Sequence, residues 1–264
     1  DHFGGLTKDE LMNALRIMVL SRSMDIKVLN LLKQGKAFFH IAGAGHEATQ
    51  VAFGLAMEKG KDWGFPYYRD MAVMLSLGVK PEEIFLHMLG RADDPMTGGR
   101  QMPCHWASKE FNVPTQSSPT GTQFLQAVGA ALAQKKKGID AVVYVSSGEG
   151  TTSNGEFHEA INWASREKIP VVFVIQNNKW SISVSVENQS GGRNASITEM
   201  MSVYENLLRL DVDGTDFLAV NAIAQSAFKS DRQGKGPALL QAHVVRLFSH
   251  SSSDYQKKYR PEDS

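Results

Sequence analysis

Cysteine is nearly absent from this chain. Cys104 is the only cysteine in 264 residues, so neither an internal disulfide nor a cysteine-cluster metal site is possible. The sequence also lacks an apolar run near the roughly 20 residues that a membrane-spanning helix needs. Basic and acidic residues balance at 28 each, so charge gives no reason to expect binding to nucleic acid or to a membrane. We therefore expect a protein of a reducing, cytoplasmic setting.

The residues that are present favour a folded domain with a helical start. Hydrophobic residues make up 42% and charged residues 21%, which is enough apolar material for a buried core. Thr7 and Glu10 form a capping-box pattern, and Gly35 suits the helix end that follows. Further helices are predicted at about 46–57 and from Pro81 onward. Residues 92–121 are rich in Gly, Pro, Ser and Asp, which predicts a long irregular segment.

From residue 122 onward, helices and apolar strands alternate. The predicted strands are 141–146, 170–176, 210–213 and 238–245. The predicted helices are 122–137, 155–168, 197–208 and 217–229. Continuous apolar strands between helices indicate an α/β fold with a doubly wound parallel sheet flanked by helices. We predict one domain over 1–264, which includes a helical segment up to about residue 60 and lacks a C-terminal continuation.

Two of the predicted strands are followed by residues that could bind a metal ion or a diphosphate. Gly148, Glu149 and Gly150 follow the strand at 141–146, and Asn177 with Asn178 follows the strand at 170–176. Ligands of doubly wound sheets bind beyond the carboxyl ends of the strands. A carboxylate, an amide oxygen and a backbone carbonyl suit magnesium, while glycines and a helix N-terminus suit a diphosphate. Either motif alone is better explained as an ordinary turn, but their joint placement favours a site.

The stretch from Gly148 to Asn178 resembles the thiamine-diphosphate motif, which opens with Gly-Asp-Gly or Gly-Glu-Gly and closes with Asn-Asn. Four more segments, at 65–70, 99–105, 117–123 and 246–254, resemble the α subunits of 2-oxo acid dehydrogenase decarboxylase components. The resemblance spans nearly the whole chain. Glu149 and the string Gly-Arg-Gln-Met-Pro-Cys-His at 99–105 favour the branched-chain type over the pyruvate type.

The resemblance implies roles for individual residues. Glu149, the Asn178 side chain and the Trp180 carbonyl would ligate magnesium. Residues that would hold the cofactor are Tyr68, Arg69, Gly148, Gly150 and Thr151 around the diphosphate, and Ser118 and Thr120 at the aminopyrimidine. Ser117, Pro119, Thr122 and Gln123 occupy the positions of a possible structural potassium site. His250 would face the cofactor and the reacting acyl group, where a histidine can move protons.

The same resemblance implies that the chain is incomplete alone. A glutamate that assists the cofactor belongs to a β-type domain in this family, so we expect a β-type subunit or a fused β half, assembled as a heterotetramer or as a dimer of the fusion. The expected acyl acceptor is the lipoyl domain of an acyltransferase. Gln176 stands where relatives often carry Arg, so one diphosphate contact is lost or supplied elsewhere. Two alternatives stay open: another thiamine-dependent carboligase or acetoin-cleaving enzyme, and a non-catalytic diphosphate-binding module.

Overall fold

The computed structural model describes residues 5–261. The predicted domain boundaries, 1 and 264, therefore lie outside the described residues. Helix α1 (Lys8–Lys33) begins with the predicted capping box between Thr7 and Glu10, and Gly35 follows it at φ +67°. The remaining α-helices are α2 (Glu47–Ala56), α3 (Met71–Leu77), α4 (Pro81–Met88), α5 (Thr122–Lys136), α6 (Gly155–Glu167), α7 (Ile197–Met200) and α8 (Phe217–Arg232). No helix among the described residues is long and apolar enough to cross a membrane.

A five-stranded sheet with only parallel pairs forms the centre of the molecule. Its strands are β1 (Trp63–Phe65), β2 (Val143–Gly148), β3 (Val171–Asn177), β6 (Leu208–Asp213) and β7 (Ala238–His243), in the spatial order β1-β2-β3-β7-β6. A short antiparallel hairpin, β4 (Trp180–Ser181) and β5 (Val184–Ser185), follows β3. The predicted parallel sheet is confirmed.

Helices cover both faces of this sheet. Alternate residues of β2 and β3 point to opposite sides, as the period of a strand requires. Tyr144, Val172 and Val174 belong to one core cluster with α1–α4 and α8. Val143, Val145 and Phe173 belong to a second cluster with α5 and α6. Burial on both faces explains why these strands are continuous apolar runs in the sequence.

The predicted helix at 197–208 is wrong beyond its first turn. α7 ends at Met200, and β6 begins at Leu208. The Leu208 backbone N–H donates to the Pro237 carbonyl at 3.0 Å, and Leu208 pairs with Ala238 of β7. Pairing with the neighbouring strand therefore outweighs a local apolar spacing that suits a helix.

Short elements also escaped prediction. β1 has only three residues, and α3 has seven, both too short for a periodic signal. The Met71–Met74 stretch of α3 is buried in the core. The segment 92–121 contains no helix or strand beyond an isolated bridge between Ser108 and Val113, which confirms the predicted irregular region.

Candidate active site

Glu149 and Asn178 lie together at the carboxyl edge of the sheet. β2 and β3 are hydrogen-bonded neighbours, and Gly148 pairs with Gln176 in their register. The backbone N–H of Asn178 donates to Oε2 of Glu149 at 3.2 Å. Asn178 Oδ1 accepts the N–H of Trp180 at 3.2 Å, so the hairpin after β3 is folded back onto the same point. The predicted convergence of the two motifs is confirmed.

The Glu149 carboxyl is buried at 2% exposure. Burial raises its pKa, although the N–H of Asn178 and the charges of Arg69 and Arg246 act in the opposite direction. A carboxylate in this position is stabilised by any cation that replaces its lost hydration. The burial of Glu149 therefore fits its predicted role as a metal ligand.

Arg69 anchors the loop that carries His250. Its guanidinium donates to the Ala42 carbonyl at 2.8 Å and to the His250 carbonyl at 3.0 Å, and lies 3.1 Å from His250 Nδ1. It also sits 5.3 Å from the centre of the Tyr68 ring, which meets the His250 ring edge-on at 6.0 Å. Burial, together with the charges of Arg69 and Arg246, lowers the pKa of His250 to about 4. His250 is therefore neutral at pH 7.

Arg246 contacts one of the residues that are predicted to ligate magnesium. Its Nη1 donates to the Trp180 carbonyl at 3.3 Å, and its Nη2 contacts the Tyr259 hydroxyl at 3.0 Å. Its Nε is buried and has no hydrogen-bond partner within the described chain. Arg246 is 1% exposed, and burial lowers its pKa. A buried guanidinium with a spare donor matches an anionic group.

The Gln176 side-chain amide is hydrogen-bonded to neighbouring side chains at both its nitrogen and its oxygen. Its Nε2 donates to Asp70 Oδ1 at 2.7 Å, while its Oε1 accepts from Gln50 Nε2 at 3.1 Å and lies 2.9 Å from His46 Nδ1. Since Oε1 can only accept, His46 must carry its proton on Nδ1. His46 Nε2 is then a bare acceptor, and it has no partner among the described residues. His46 packs against this network rather than capping α2, because its side chain makes no cap hydrogen bond.

A third histidine, His105, lines a cavity of about 170 Å³ between the residues that follow β1 and the irregular segment. His105 Nδ1 lies 2.9 Å from the Met102 carbonyl, so it carries the proton, and Nε2 accepts from the Ser118 hydroxyl at 2.7 Å. Tyr68 and Thr120 line the same cavity. Residues 118–120 are exposed, so the predicted aminopyrimidine-binding residues are open on one side.

The predicted potassium ligands lie on the turn into α5. Gln123 is buried, and its two amide ends are used: Oε1 accepts the Gly121 N–H at 2.9 Å and Nε2 donates to the Ser146 carbonyl at 3.2 Å. Pro119 is exposed, while Ser117 and Thr122 are partly buried. Gln123 thus holds the turn in shape, and a potassium ion at Ser117, Pro119, Thr122 and Gln123 stays a prediction.

The residues at this edge fit thiamine diphosphate with magnesium. The oxygen set of Glu149, Asn178 and Trp180 suits a hard dication. The unpartnered Nε of Arg246 and the buried guanidinium of Arg69 suit the diphosphate. Gly148 stands at the end of β2 with only Tyr67 within 4.0 Å of an added Cβ, so the backbone there is open to a ligand. Gly150 and the buried Thr151 lie in the 3₁₀ turn that follows.

Sequence reasoning missed part of this site. Asp70 is fully buried beneath it and accepts from Gln176, Tyr144 and Ser146. Its position directly after Tyr68 and Arg69, before an apolar helix, was the available signal. Arg246 was noticed only as part of a resembling segment, and the contact between Arg246 and Trp180 depends on the fold.

Comparisons with known proteins point to one family. The dehydrogenase E1 component family matches residues 15–264. The 2-oxoisovalerate dehydrogenase subunit alpha of Bacillus subtilis is 38% identical over 256 residues, which cover 97% of this chain and 77% of the relative. The pyruvate dehydrogenase E1 component subunit alpha of the same organism is 35% identical, over 98% of this chain and 66% of the relative. The 3-methyl-2-oxobutanoate dehydrogenase subunit alpha of Mycobacterium tuberculosis is 34% identical over the same shares.

A solved structure supports the fold independently. Transketolase from Campylobacter jejuni superposes with a TM-score of 0.63 at 17% identity, over 86% of this chain and 37% of that chain. At this identity the likeness speaks for the fold alone. The family match over residues 15–264 and the relatives above 30% identity go further. This chain belongs to the dehydrogenase E1 component family, alongside the α subunits of branched-chain and pyruvate dehydrogenases.

Proposed function

We propose that this chain is the thiamine-diphosphate- and magnesium-binding part of a 2-oxo acid dehydrogenase, which decarboxylates a 2-oxo acid and passes the acyl group to a lipoyl domain. The observation that carries the proposal is the convergence of Glu149 and Asn178 at one sheet edge, with Arg69 and Arg246 buried beside them. Family membership supports use of the same cofactor. Neither motif would carry this proposal alone.

Glu149, the Asn178 side chain and the Trp180 carbonyl are the proposed magnesium ligands. Burial disfavours the ionised form of Glu149, and a dication against it reverses that effect. The Trp180 carbonyl accepts from Arg246 Nη1 at 3.3 Å and keeps a second lone pair for the metal. Ser117, Pro119, Thr122 and Gln123 are proposed for potassium; Gln123 Oε1 accepts the Gly121 N–H and keeps a second lone pair for the ion.

Arg69, Tyr68, Gly148, Gly150 and Thr151 would hold the diphosphate. Arg246 is proposed to replace the contact that Gln176 cannot make, because Arg246 Nε is buried and unpartnered within the described chain whereas both amide ends of Gln176 are used. When bound, thiamine diphosphate supplies the electron sink that makes loss of carbon dioxide possible.

His250 is the proposed catalytic residue of this chain. Its low pKa, about 4, keeps the ring neutral, so it can accept a proton and return it. Its backbone N–H donates to Asp254 Oδ2 at 2.9 Å, and Arg69 holds its carbonyl. Both contacts fix the ring beside Tyr68. Ser118 and Thr120 are proposed at the aminopyrimidine, on the open side of the cavity.

A β-type partner is proposed to complete the site. Helix α1 exposes a series of large apolar side chains, namely Met12, Leu15, Val19, Leu20 and Ile26. A groove of about 530 Å³ beside them is lined by Val245 and Leu247 as well. Exposed apolar surface of this extent marks protein contacts. We propose a heterotetramer, or a dimer of a fused chain, in the cytoplasm.

A branched-chain 2-oxo acid is the proposed substrate, with pyruvate as the next choice. The first of the relatives, at 38% identity, acts on 2-oxoisovalerate according to its name. Activity of the assembled complex should be measured as carbon dioxide release and lipoyl acylation with 3-methyl-2-oxobutanoate, pyruvate and acetoin. We expect the branched acid to be turned over with the highest kcat/KM. Cleavage of acetoin with neither 2-oxo acid decarboxylated would instead favour a carboligase-type enzyme.

A further inference from the structure

A cluster of soft donor atoms lies behind the wall of the 170 Å³ cavity. Cys104 Sγ is 3.8 Å from Met88 Sδ and 4.0 Å from His40 Nδ1. All three residues are at most 1% exposed. They come from the end of α4, the segment before α2 and the irregular segment, so the fold alone brings them together. None of them belongs to the Glu149 and Asn178 site.

The histidine of this cluster is held by a carboxylate. His40 Nε2 lies 2.7 Å from Asp25 Oδ1, and Asp25 is fully buried on α1. Because the carboxylate fixes Nε2, the other ring nitrogen, Nδ1, faces the sulfur atom of Cys104. A histidine whose second nitrogen bonds a carboxylate is the usual arrangement around a bound metal.

We propose that Cys104, Met88 and His40 form a three-coordinate site for a soft monovalent cation, with Cu(I) as the representative ion. With the bond lengths that zinc makes, about 2.0 Å to nitrogen and 2.3 Å to sulfur, and angles of roughly 110–140°, two donors of one ion lie about 3.5–4.3 Å apart. The two observed separations, 3.8 and 4.0 Å, fall inside this range. Both separations therefore suit donors that share one ion.

The donor set decides the class of ion. Thiolate and thioether select Cu(I) over hard cations such as magnesium, which need oxygen ligands. Burial opposes a charged His40, yet its contacts with Asp25 and Cys104 together outweigh burial and raise its pKa to about 9. The cation therefore displaces one proton from His40 Nδ1 and one from the Cys104 thiol. His40 and Cys104 together carry a charge of +1 before binding, on the protonated His40. After binding, the cation and the Cys104 thiolate cancel, so the charge is zero.

The proposed cation site borders the 170 Å³ cavity and is adjacent in sequence to His105. Cys104 and Met102 line the cavity, so an ion can arrive through it. Cys104 precedes His105, whose ring holds Ser118 at 2.7 Å. A cation at Cys104 would shift this segment, so we expect Cu(I) to inhibit the assembled enzyme in proportion to occupancy. Whether the proposed decarboxylation is correct does not affect the binding measurement itself.

The test is an anaerobic titration of the full chain with Cu(I) against a competing chelator. We expect one equivalent to bind, at least about a hundredfold more weakly in Cys104→Ser and about tenfold more weakly in Met88→Leu. Met102→Leu is the matched control, since Met102 lines the same cavity but lies 47% exposed, and it should bind as the wild type does. Equal affinity in Met88→Leu and the wild type would overturn the site.

X-ray absorption of the wild-type chain loaded with one equivalent of Cu(I) needs no variant. Two sulfur scatterers and one nitrogen in the first shell are expected. A first shell of nitrogen and oxygen alone would overturn the proposal even if a variant failed to fold.

Discussion

Asp70 offers a sharp test of how the floor of the site is held together. It is fully buried and accepts from Gln176 Nε2 at 2.7 Å, from the Tyr144 hydroxyl at 3.0 Å and from the Ser146 hydroxyl. Replacing Asp70 by Ala removes these contacts and a fourth from the Tyr67 N–H at 3.3 Å, although that N–H keeps the Ser146 hydroxyl oxygen at 3.1 Å. Three buried donors are then left without their partner.

The expected magnitude follows from these three donors. A buried donor without an acceptor costs about 1–3 kcal/mol. Relaxation and water entry into the small space recover part of this, so we expect Asp70→Ala to lower the free energy of unfolding by about 4 kcal/mol, which is large for one substitution. Asp70→Asn keeps the shape and can keep its oxygen on Gln176 Nε2, but its amide nitrogen then faces the Tyr67 N–H, another donor, so a loss of about 2 kcal/mol is expected.

Urea denaturation at pH 8, followed by circular dichroism, measures both losses. Asp93→Ala is the control, because Asp93 is exposed and surface changes usually stay within about 0.5 kcal/mol. A loss below about 1 kcal/mol for Asp70→Ala would refute the idea that the network under Arg69 and Gln176 is held by this carboxyl.

Three other predictions concern charge and backbone. Burial raises the pKa of Asp231 well above its ordinary value, and both of its carboxyl oxygens lack hydrogen-bond partners within the described chain. The folded state therefore loses stability as pH rises above about 4. Asp231→Asn should raise the melting temperature more at pH 8 than at pH 4, and an equal gain at both pH values would contradict this. The His250 ring, with a pKa of about 4, should stay neutral at pH 6 by NMR, and Arg246→Met should raise its pKa; an imidazolium at pH 6 would be the opposite result. Gly45 has φ +95°, and a Cβ added there would lie 1.7 Å from a backbone oxygen, whereas Gly35 has φ +67° and open space around it. In thermal denaturation, Gly45→Ala should therefore lower the free energy of unfolding by several kcal/mol and Gly35→Ala by about 1 kcal/mol. Equal losses would show that crowding is not the cause.

The parts of the fold that could be predicted are those with strong local signals. β2 and β3 are continuous apolar runs, and the turn residues Glu149 and Asn178 follow them directly, so their convergence required only that the two strands be neighbours. The capping box of α1 lies within four residues. These features depend on periodicity and on short spacing, both of which are visible in a sequence.

The remainder depends on contacts between distant residues. Gln176 meets Asp70 across 106 positions and His46 across 130, and neither pairing leaves a local pattern. The apolar spacing at 197–208 is typical of a helix, but Leu208 pairs with β7, and this contact is not visible in the local sequence. Arg246 became a candidate diphosphate ligand only when the fold placed it against the Trp180 carbonyl.

Cofactor binding tests the central claim most directly. Calorimetry should compare wild type with Glu149→Gln, each assembled with the β-type partner, titrated with thiamine diphosphate in excess magnesium. The exposed Glu167 on α6 provides the control variant Glu167→Gln. We predict one cofactor per chain for wild type and control, and at least about tenfold weaker binding for Glu149→Gln, equivalent to about 1.4 kcal/mol. Equal affinity in all three proteins would contradict the assignment of Glu149 and Asn178 to the metal and cofactor site.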